Sequence, residues 1–489
     1  MKTLSIIIFF LSYMLMSSAK WAIRKFGEMS YEQVIFHLNT PLDSETKLIC
    51  SYLQNTVMIA VILVVVLYFI SKKISPRKLF SLSILFLICT LSFSWRILNI
   101  DKIIKEYDTH ITIGDFYEKY YVDLHKISIK APEHKRNLIM IFAESMENTY
   151  ANANYFDDNL IPELTTLAND NISFSHNDSF GGFKVINGAK YTQASLVSQL
   201  CAIPLRLPIN ASLYRPKNGF LPGALCLSDI LKKDGYNQSF MIGMTRAFSG
   251  TDKYLETHGN VKILDWDFYS KRDNLDKNTD KRRKRIVRDE KLFSYAKEEI
   301  LNLYNQKEPF AFTIMTLDTH FGDEHFDSQN CKVKYHSKDV KDDEYFKNVI
   351  SCSSSKINNF IEWIKTQPFY DNTEIVIVGD HLTMGEAVKF DKNMDRTMYN
   401  VYINSSSKDN IKTKNRLFTA LDTLPTMLEG LGYTIDGNKL GLGVSLFSGK
   451  ATLMEQGISF EQLNTELDKQ SKIYNKILYG KDVGQMQNN

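Results

Sequence analysis

The feature that most constrains this chain is the crowding of uncharged apolar residues into its first hundred positions. Three runs stand there: 4–18 (LSIIIFFLSYMLMSS), 55–71 (NTVMIAVILVVVLYFIS) and 79–95 (LFSLSILFLICTLSFSW). Counted with its flanks, each approaches the length a helix needs to cross a hydrocarbon core of ~30 Å. Three such runs in a row, separated by polar spacers, predict a transmembrane region over 1–98, with helices near 4–19, 54–71 and 79–98. Buried core helices are the competing reading. The first run ends near Ser17, Ser18 and Ala19, so it also fits a cleaved signal peptide. Either way, the segment that follows it lies outside the cytoplasm.

Basic residues set the orientation. The loop Ser71–Lys78 holds Lys72, Lys73, Arg77 and Lys78 and no acid, which predicts a cytoplasmic loop. Residues 20–54, and everything after Trp95, then face outward. The remainder is polar. Over the whole chain, 59 basic residues against 56 acidic ones leave +3, far from the basic excess of a nucleic-acid-binding protein. A hydrophobic content of 44% with 24% charged residues excludes wholesale disorder.

Cysteine usage agrees with an outward-facing domain. Cys89 lies in an apolar run and Cys50 just before one. The other four fall as two pairs with a short loop between partners. An oxidising compartment permits disulfides Cys201–Cys226 and Cys331–Cys352; four free buried thiols are the alternative.

Residues 99–136 read as a linker with helical stretches, 137–450 as the globular domain, and 451–489 as a polar, helix-prone tail with a frayed end. The domain opens on Asn137–Ala143 (NLIMIFA), an apolar run of strand length ending at Glu144. The pattern recurs where Phe310–Leu317 (FAFTIMTL) ends in Asp318 and His320, and where Glu374–Val378 (EIVIV) ends in Gly379, Asp380 and His381. Apolar strands with acids and histidines at their carboxyl ends fit an open, mostly parallel α/β sheet, whose ligands bind at that edge. Helical patterns lie between them, at Leu292–Tyr304 and Asp343–Lys365. The charge run Asp276–Lys291 mixes both signs and reads as a solvated surface loop.

Glu144, Asp380 and His381 therefore converge on one sheet edge. Two carboxylates and an imidazole suit a divalent cation such as Zn²⁺ or Mn²⁺, and one more ligand would complete a tetrahedral set. A hydroxyl at a helix N-terminus would serve, because a bound cation acidifies it for attack on phosphorus. The segment Gly188–Gln199 opens on a glycine and turns helical. It offers Thr192, Ser195 and Ser198, of which Thr192 is closest to the helix start. A simple N-cap role for Thr192 competes.

Six segments, in order, carry a resemblance: Ile141–Glu147 (IFAESME), Tyr191–Leu205 (YTQASLVSQLCAIPL), Cys226–Lys232 (CLSDILK), Thr316–His320 (TLDTH), Val378–His381 (VGDH) and Leu440–Ser448 (LGLGVSLFS). The chain resembles the alkaline-phosphatase-like sulfatase superfamily. Within it, it is most similar to the membrane-anchored phosphoglycerol transferases, the group of periplasmic-glucan phosphoglycerol transferases and lipoteichoic acid synthases. The resemblance implies a central mixed, mostly parallel sheet between helices, preceded by about three transmembrane helices. It implies one divalent cation, Mn²⁺ before Mg²⁺ or Zn²⁺, held by Glu144, Thr192, Asp380 and His381. Thr192 would be the nucleophile that carries a covalent phosphoglycerol group, and His320 would touch the substrate phosphate as general acid or base. The donor would be phosphatidylglycerol in the membrane, the acceptor a glycan or polymer, and the product diacylglycerol. The location implied is a bacterial inner membrane, with the catalytic domain facing the periplasm or exterior.

The chain departs from the pattern in two places. A Trp-x-Arg pair that contacts phosphoglycerol in some relatives is replaced by a stretch running from Arg246 to Tyr254, where Arg246 or Lys253 would have to substitute. In Asp318–His325 (DTHFGDEH) the second histidine is displaced. A phosphoethanolamine transferase acting on lipid A or a surface glycan is the rival reading. A sulfatase would need Cys-x-Pro-x-Arg, and the stretch from Cys201 to Arg206 has one residue too many before its proline.

Overall fold

A computed structural model covers the whole chain. It describes all residues except 27–30, 32–33, 35–45, 207–218, 276–284, 337–342, 385–387, 389, 392–393, 407–410 and 481–489. The chain divides into two units, one built on Met1–Ile111 and one that starts at Thr112.

The first unit holds three helices long and apolar enough to cross a membrane. These are α1 (Lys2–Phe26), α2 (Met58–Ser71) and α3 (Pro76–Ile97). A π-helical turn, Leu53–Val57, extends α2 backward, so that the span runs Ile49–Ser71. Ser75 caps α3 by accepting from the Lys78 N–H, and Pro76 sits at the first helical position, where its missing N–H costs nothing. Lys2 donates to the Ser71 carbonyl, and Ser18 and Tyr52 hydroxyls meet at 2.8 Å, so α1 and α2 run antiparallel. The start of α1 thus lies beside the basic loop Ser71–Lys78. A further helix, α4 (Ile100–Ile111), follows α3.

The second unit is an α/β sandwich around a six-stranded sheet. Its strands are β1 (Asn137–Ala143), β2 (Asn237–Ile242), β3 (Lys262–Leu264), β4 (Phe310–Met315), β5 (Thr373–Gly379) and β6 (Asn400–Ile403). They lie in the order β3-β2-β4-β1-β5-β6. All neighbours are parallel except β5 and β6. β1 and β5 are buried at every position, which explains their unbroken apolar character. Helices α5 (Thr192–Cys201), α6 (Thr251–Thr257), α7 (Asp289–Asn305) and α8 (Asp343–Lys365) complete the part that frames the site.

The structure adds contacts to the segments on either side of the domain and corrects the reading of one charged run. Within the segment read as a linker, Ile129–Lys130 pairs with Thr434–Ile435, and Val122 pairs with Gly441. The tail is built into the same unit through Phe460–Asp468 and Lys472–Tyr479, where the Tyr474 hydroxyl donates to the Pro204 carbonyl; the end expected to fray lies outside the described residues. The run Asp276–Lys291 is only partly a surface loop. Residues 276–284 lie outside the described part, but Val287 and Asp289 are buried. Asp289 accepts the Leu317 and Asp318 backbone N–H groups, which holds the loop after β4. Both expected disulfides, Cys201–Cys226 and Cys331–Cys352, are present.

Candidate active site

Strand register builds the site. Ala143 pairs with Gly379, and Phe142 with Met315, so the next residues of three parallel strands emerge side by side. These are Glu144, Asp380 and Thr316. The Glu144 N–H donates to Thr316 Oγ1 at 2.9 Å, and Thr319 Oγ1 donates to the Glu144 carbonyl at 2.6 Å. The loop that carries His320 is therefore tied to the backbone of Glu144 at two points. Gly379 is required by close approach, since a Cβ there would sit 2.2 Å from the Met146 carbonyl oxygen.

Each donor of the cluster is aimed by a neighbour. Ser145 donates its hydroxyl to Glu144 Oε1 and its N–H to Asp380 Oδ1, both at 2.7 Å. The His381 N–H also donates to Asp380 Oδ1, at 2.8 Å. His381 Nδ1 lies 3.0 Å from the Leu382 carbonyl, an acceptor only, so Nδ1 carries the proton and Nε2 is left as a ligand atom. Nε2 then lies 3.3 Å from Asp380 Oδ2, 3.7 Å from Glu144 Oε1 and 3.3 Å from Thr192 Oγ1.

Helix α5 brings Thr192 there at its first turn. Of the three candidate hydroxyls, two are committed to holding the helix. Ser195 donates to the Asp380 carbonyl at 2.6 Å, and Ser198 to the Gly188 carbonyl at 3.0 Å. Gln199 donates to Ser195 and to the Gly379 carbonyl, which fixes α5 against the end of β5. Thr192 is the hydroxyl that faces His381.

This donor set fits a divalent cation. Glu144, Asp380 and His381 are all buried, with one ligand atom from each within 4.8 Å of the others. Asp380 Oδ2 is buried and has no hydrogen-bond partner, since the nearby His381 Nε2 carries no proton in this tautomer. Burial and then the nearby Glu144 carboxylate push the Asp380 carboxyl up to about 7. Burial works against a charged His381 ring, but Asp380 and Glu144 outweigh it and raise its pKa. Such mutual repulsion is what a cation would relieve.

His320 is half-buried on the loop after β4, with the ring of Phe248 edge-on at 5.8 Å. Arg246 is engaged elsewhere: Asp265 takes its Nε at 3.1 Å and its Nη2 at 3.0 Å. Lys253 pairs with Glu256 at 2.7 Å on the exposed side of α6. His325 donates its N–H to the Asp318 carbonyl, and burial lowers its ring pKa.

Two supporting groups were not foreseen from sequence. Glu147, fully buried, is gripped by Arg396 through Nε at 2.8 Å and through Nη2. Glu147 also accepts the Thr383 N–H at 2.9 Å, which pins the chain two residues beyond His381. Lys356, on α8, is buried between Asp327 at 2.9 Å and Asp318 at 3.3 Å. The second acid of the motif Glu144–Glu147 was the available signal for the first group. Nothing local marks Lys356, whose partners arrive from other elements.

The chain belongs to the sulfatase family, whose profile matches residues 136–433. Its fold is the alkaline-phosphatase-like one, a mixed, mostly parallel sheet between helices, here preceded by three apolar helices able to span a membrane. Among curated proteins it is similar to phosphoglycerol transferase I of Shigella flexneri, 32% identical over 337 residues, which are 65% of this chain and 40% of that protein. The same protein of Escherichia coli (strain SMS-3-5 / SECEC) matches with equal identity and coverage. The match thus spans about two fifths of the length of these relatives. Among solved structures, lipoteichoic acid synthase LtaP from Listeria monocytogenes is 15% identical, with 66% of this chain and 80% of that one covered and a TM-score of 0.49. Streptococcus pyogenes phosphoglycerol transferase GacH, in complex with sn-glycerol-1-phosphate, is 15% identical, with 78% and 94% covered and a TM-score of 0.45.

Proposed function

We propose that this protein is a membrane-anchored phosphotransferase that moves phosphoglycerol from phosphatidylglycerol to an extracytoplasmic glycan or polymer. The observation that carries the reading is the Thr192 hydroxyl facing the buried donors of His381, Glu144 and Asp380 at a helix N-terminus. The choice of glycerol over ethanolamine is supported by the similarity to phosphoglycerol transferase I. We place the spans in a bacterial inner membrane, with the second unit on the periplasmic or outer side.

Glu144, Asp380, His381 and Thr192 would hold one divalent cation, Mn²⁺ by preference and Mg²⁺ or Zn²⁺ as alternatives. When bound, the cation lowers the pKa of a coordinated hydroxyl and neutralises phosphate charge. Thr192 Oγ1 attacks phosphorus, the bond from phosphorus to the diacylglycerol oxygen breaks, and the proton given up by Thr192 is matched by one delivered to that oxygen. An acceptor hydroxyl then attacks phosphorus of the phosphothreonine, the bond from phosphorus to Thr192 Oγ1 breaks, and the proton given up by the acceptor is matched by one returned to Thr192 Oγ1. His320 is assigned both proton transfers and the contact to the phosphate. Arg246 would have to leave Asp265 to reach an anion, so we give it and Lys253 secondary parts in headgroup binding.

Phosphoethanolamine transfer shares every step but the headgroup. Sulfatase chemistry by a formylglycine is disfavoured, because Cys201 is bonded to Cys226. Incubating the full-length protein with phosphatidylglycerol and phosphatidylethanolamine in parallel tests the reading. Diacylglycerol should appear from the first lipid; release from the second alone assigns the other headgroup.

A further inference from the structure

Helix α4 begins three residues after α3 ends. Placed on a helical projection, Ile100, Ile103, Ile104, Tyr107 and Ile111 share one side, with Asp101, Lys105 and Asp108 turned away from its centre. Tyr31 covers one flank. Its ring meets those of Tyr107 at 5.7 Å and His110 at 5.4 Å, and its N–H donates to Glu106 Oε2 at 2.6 Å. Much of the apolar side remains exposed: Ile104 is 44% exposed, Tyr107 42% and Ile111 46%, while Ile100 and Ile103 are partly buried.

A helix in water normally turns such a stripe toward a core. One with a clean division between apolar and polar sides and a low average hydrophobicity is suited to lie in the plane of a membrane interface. What covers α4 follows from its attachment. Trp95 and Arg96 stand at the end of α3, the residue types that anchor a span at the interface. Asn99 adopts a left-handed φ of 50°, which breaks the helix and redirects the chain. Three residues reach about 10 Å at most, so α4 starts within reach of the headgroup layer.

We infer that α4 is an interfacial helix that beds Ile104, Tyr107 and Ile111 into the headgroup–acyl boundary of the leaflet where α3 ends. The occupant of the open face is a lipid surface. Acids and lysines alternate on the polar side, so the attachment is apolar and should change little with salt. This rests on the reading of α3 as a membrane span.

Nitroxide labels test it in the full-length protein, reconstituted in vesicles of phosphatidylcholine and phosphatidylglycerol. In a Cys50→Ser, Cys89→Ser background, single cysteines are placed at Ile104, Ile111, Lys105 and Asp108, with Ile62 on α2 as the reference for a lipid-facing span. Collisions with oxygen and with a water-soluble nickel chelate are compared. Labels at Ile104 and Ile111 should show an oxygen-to-chelate ratio several-fold above those at Lys105 and Asp108. Equal ratios on the two sides overturn the inference, as does protection of Ile104 and Ile111 from both reagents, which means protein covers them. A chelate-accessible Ile62 would overturn the span reading itself and α4 with it. A lipid-facing Ile62 beside water-facing Ile104 and Ile111 sinks the inference about α4 alone.

Discussion

Ser145 donates its backbone N–H to Asp380 at 2.7 Å while standing at a φ of 52°, an uncommon conformation for a residue with a side chain. From there its hydroxyl reaches Glu144 at the same distance. One residue thus aims both carboxylates of the cluster. Ser145→Ala keeps the N–H bond and removes the hydroxyl. Because such supporting bonds typically carry 10–100-fold in metal affinity or activity, Mn²⁺ affinity should fall by about tenfold with the circular dichroism spectrum unchanged. Isothermal titration of the full-length protein reads this directly.

The ion pair of Glu147 and Arg396 stiffens the chain beyond His381. Arg396→Ala leaves a buried carboxylate without its partner, a change that costs about 3–5 kcal/mol. A double variant, Glu147→Gln with Arg396→Met, removes both charges and should regain more than half of that loss. Denaturant midpoints of the three proteins in the same detergent check it. Equal midpoints for Arg396→Ala and the wild type would show that the pair contributes nothing.

Glu374 on β5 makes stability fall with rising pH. Burial, only partly offset by the Ser405 hydroxyl, pushes its carboxyl up to about 8, and one of its oxygens has no hydrogen-bond partner. Between the ordinary value and 8 the folded state keeps the proton and the unfolded state has lost it. The folded state binds more protons, so stability drops as pH rises through that window, by up to ~1.4 kcal/mol per unit. Below the ordinary carboxylate value the effect vanishes. Asp289 and Asp422 act in the same direction, so the test is the difference between wild type and Glu374→Gln. The variant should have the flatter profile from about pH 5 to 8; parallel profiles would contradict the assignment.

Some of this was legible in the sequence for physical reasons. Asn137–Ala143 is buried on both faces, so its apolar run marks the strand to the residue. The run from Phe310 overshoots, because Thr316 leaves the strand to bond Glu144. Three strands of the six-stranded sheet went unseen. Asn237–Ile242 opens on polar Asn, Gln and Ser, while Lys262–Leu264 and Asn400–Ile403 are too short to show a period, and all three are held by partners distant in sequence. The ligand-type residues stood out because each follows a legible strand. Thr192 was preferred from its place at the helix start and from the resemblance; that Ser195 and Ser198 bond backbone carbonyls depends on the phase of α5 against β5, which only packing supplies. Ser145 and Lys356 matter through contacts with no local signature.

In the proposed reaction Thr192 carries the phosphoglycerol group. The direct measurement is peptide mass spectrometry of the full-length protein, quenched during turnover with phosphatidylglycerol and Mn²⁺ in the absence of an acceptor. A phosphoglycerol adduct on Thr192 is expected, and neither adduct nor diacylglycerol with Thr192→Ala. Diacylglycerol release by Thr192→Ala at near wild-type rate, or an adduct on another residue, would contradict it.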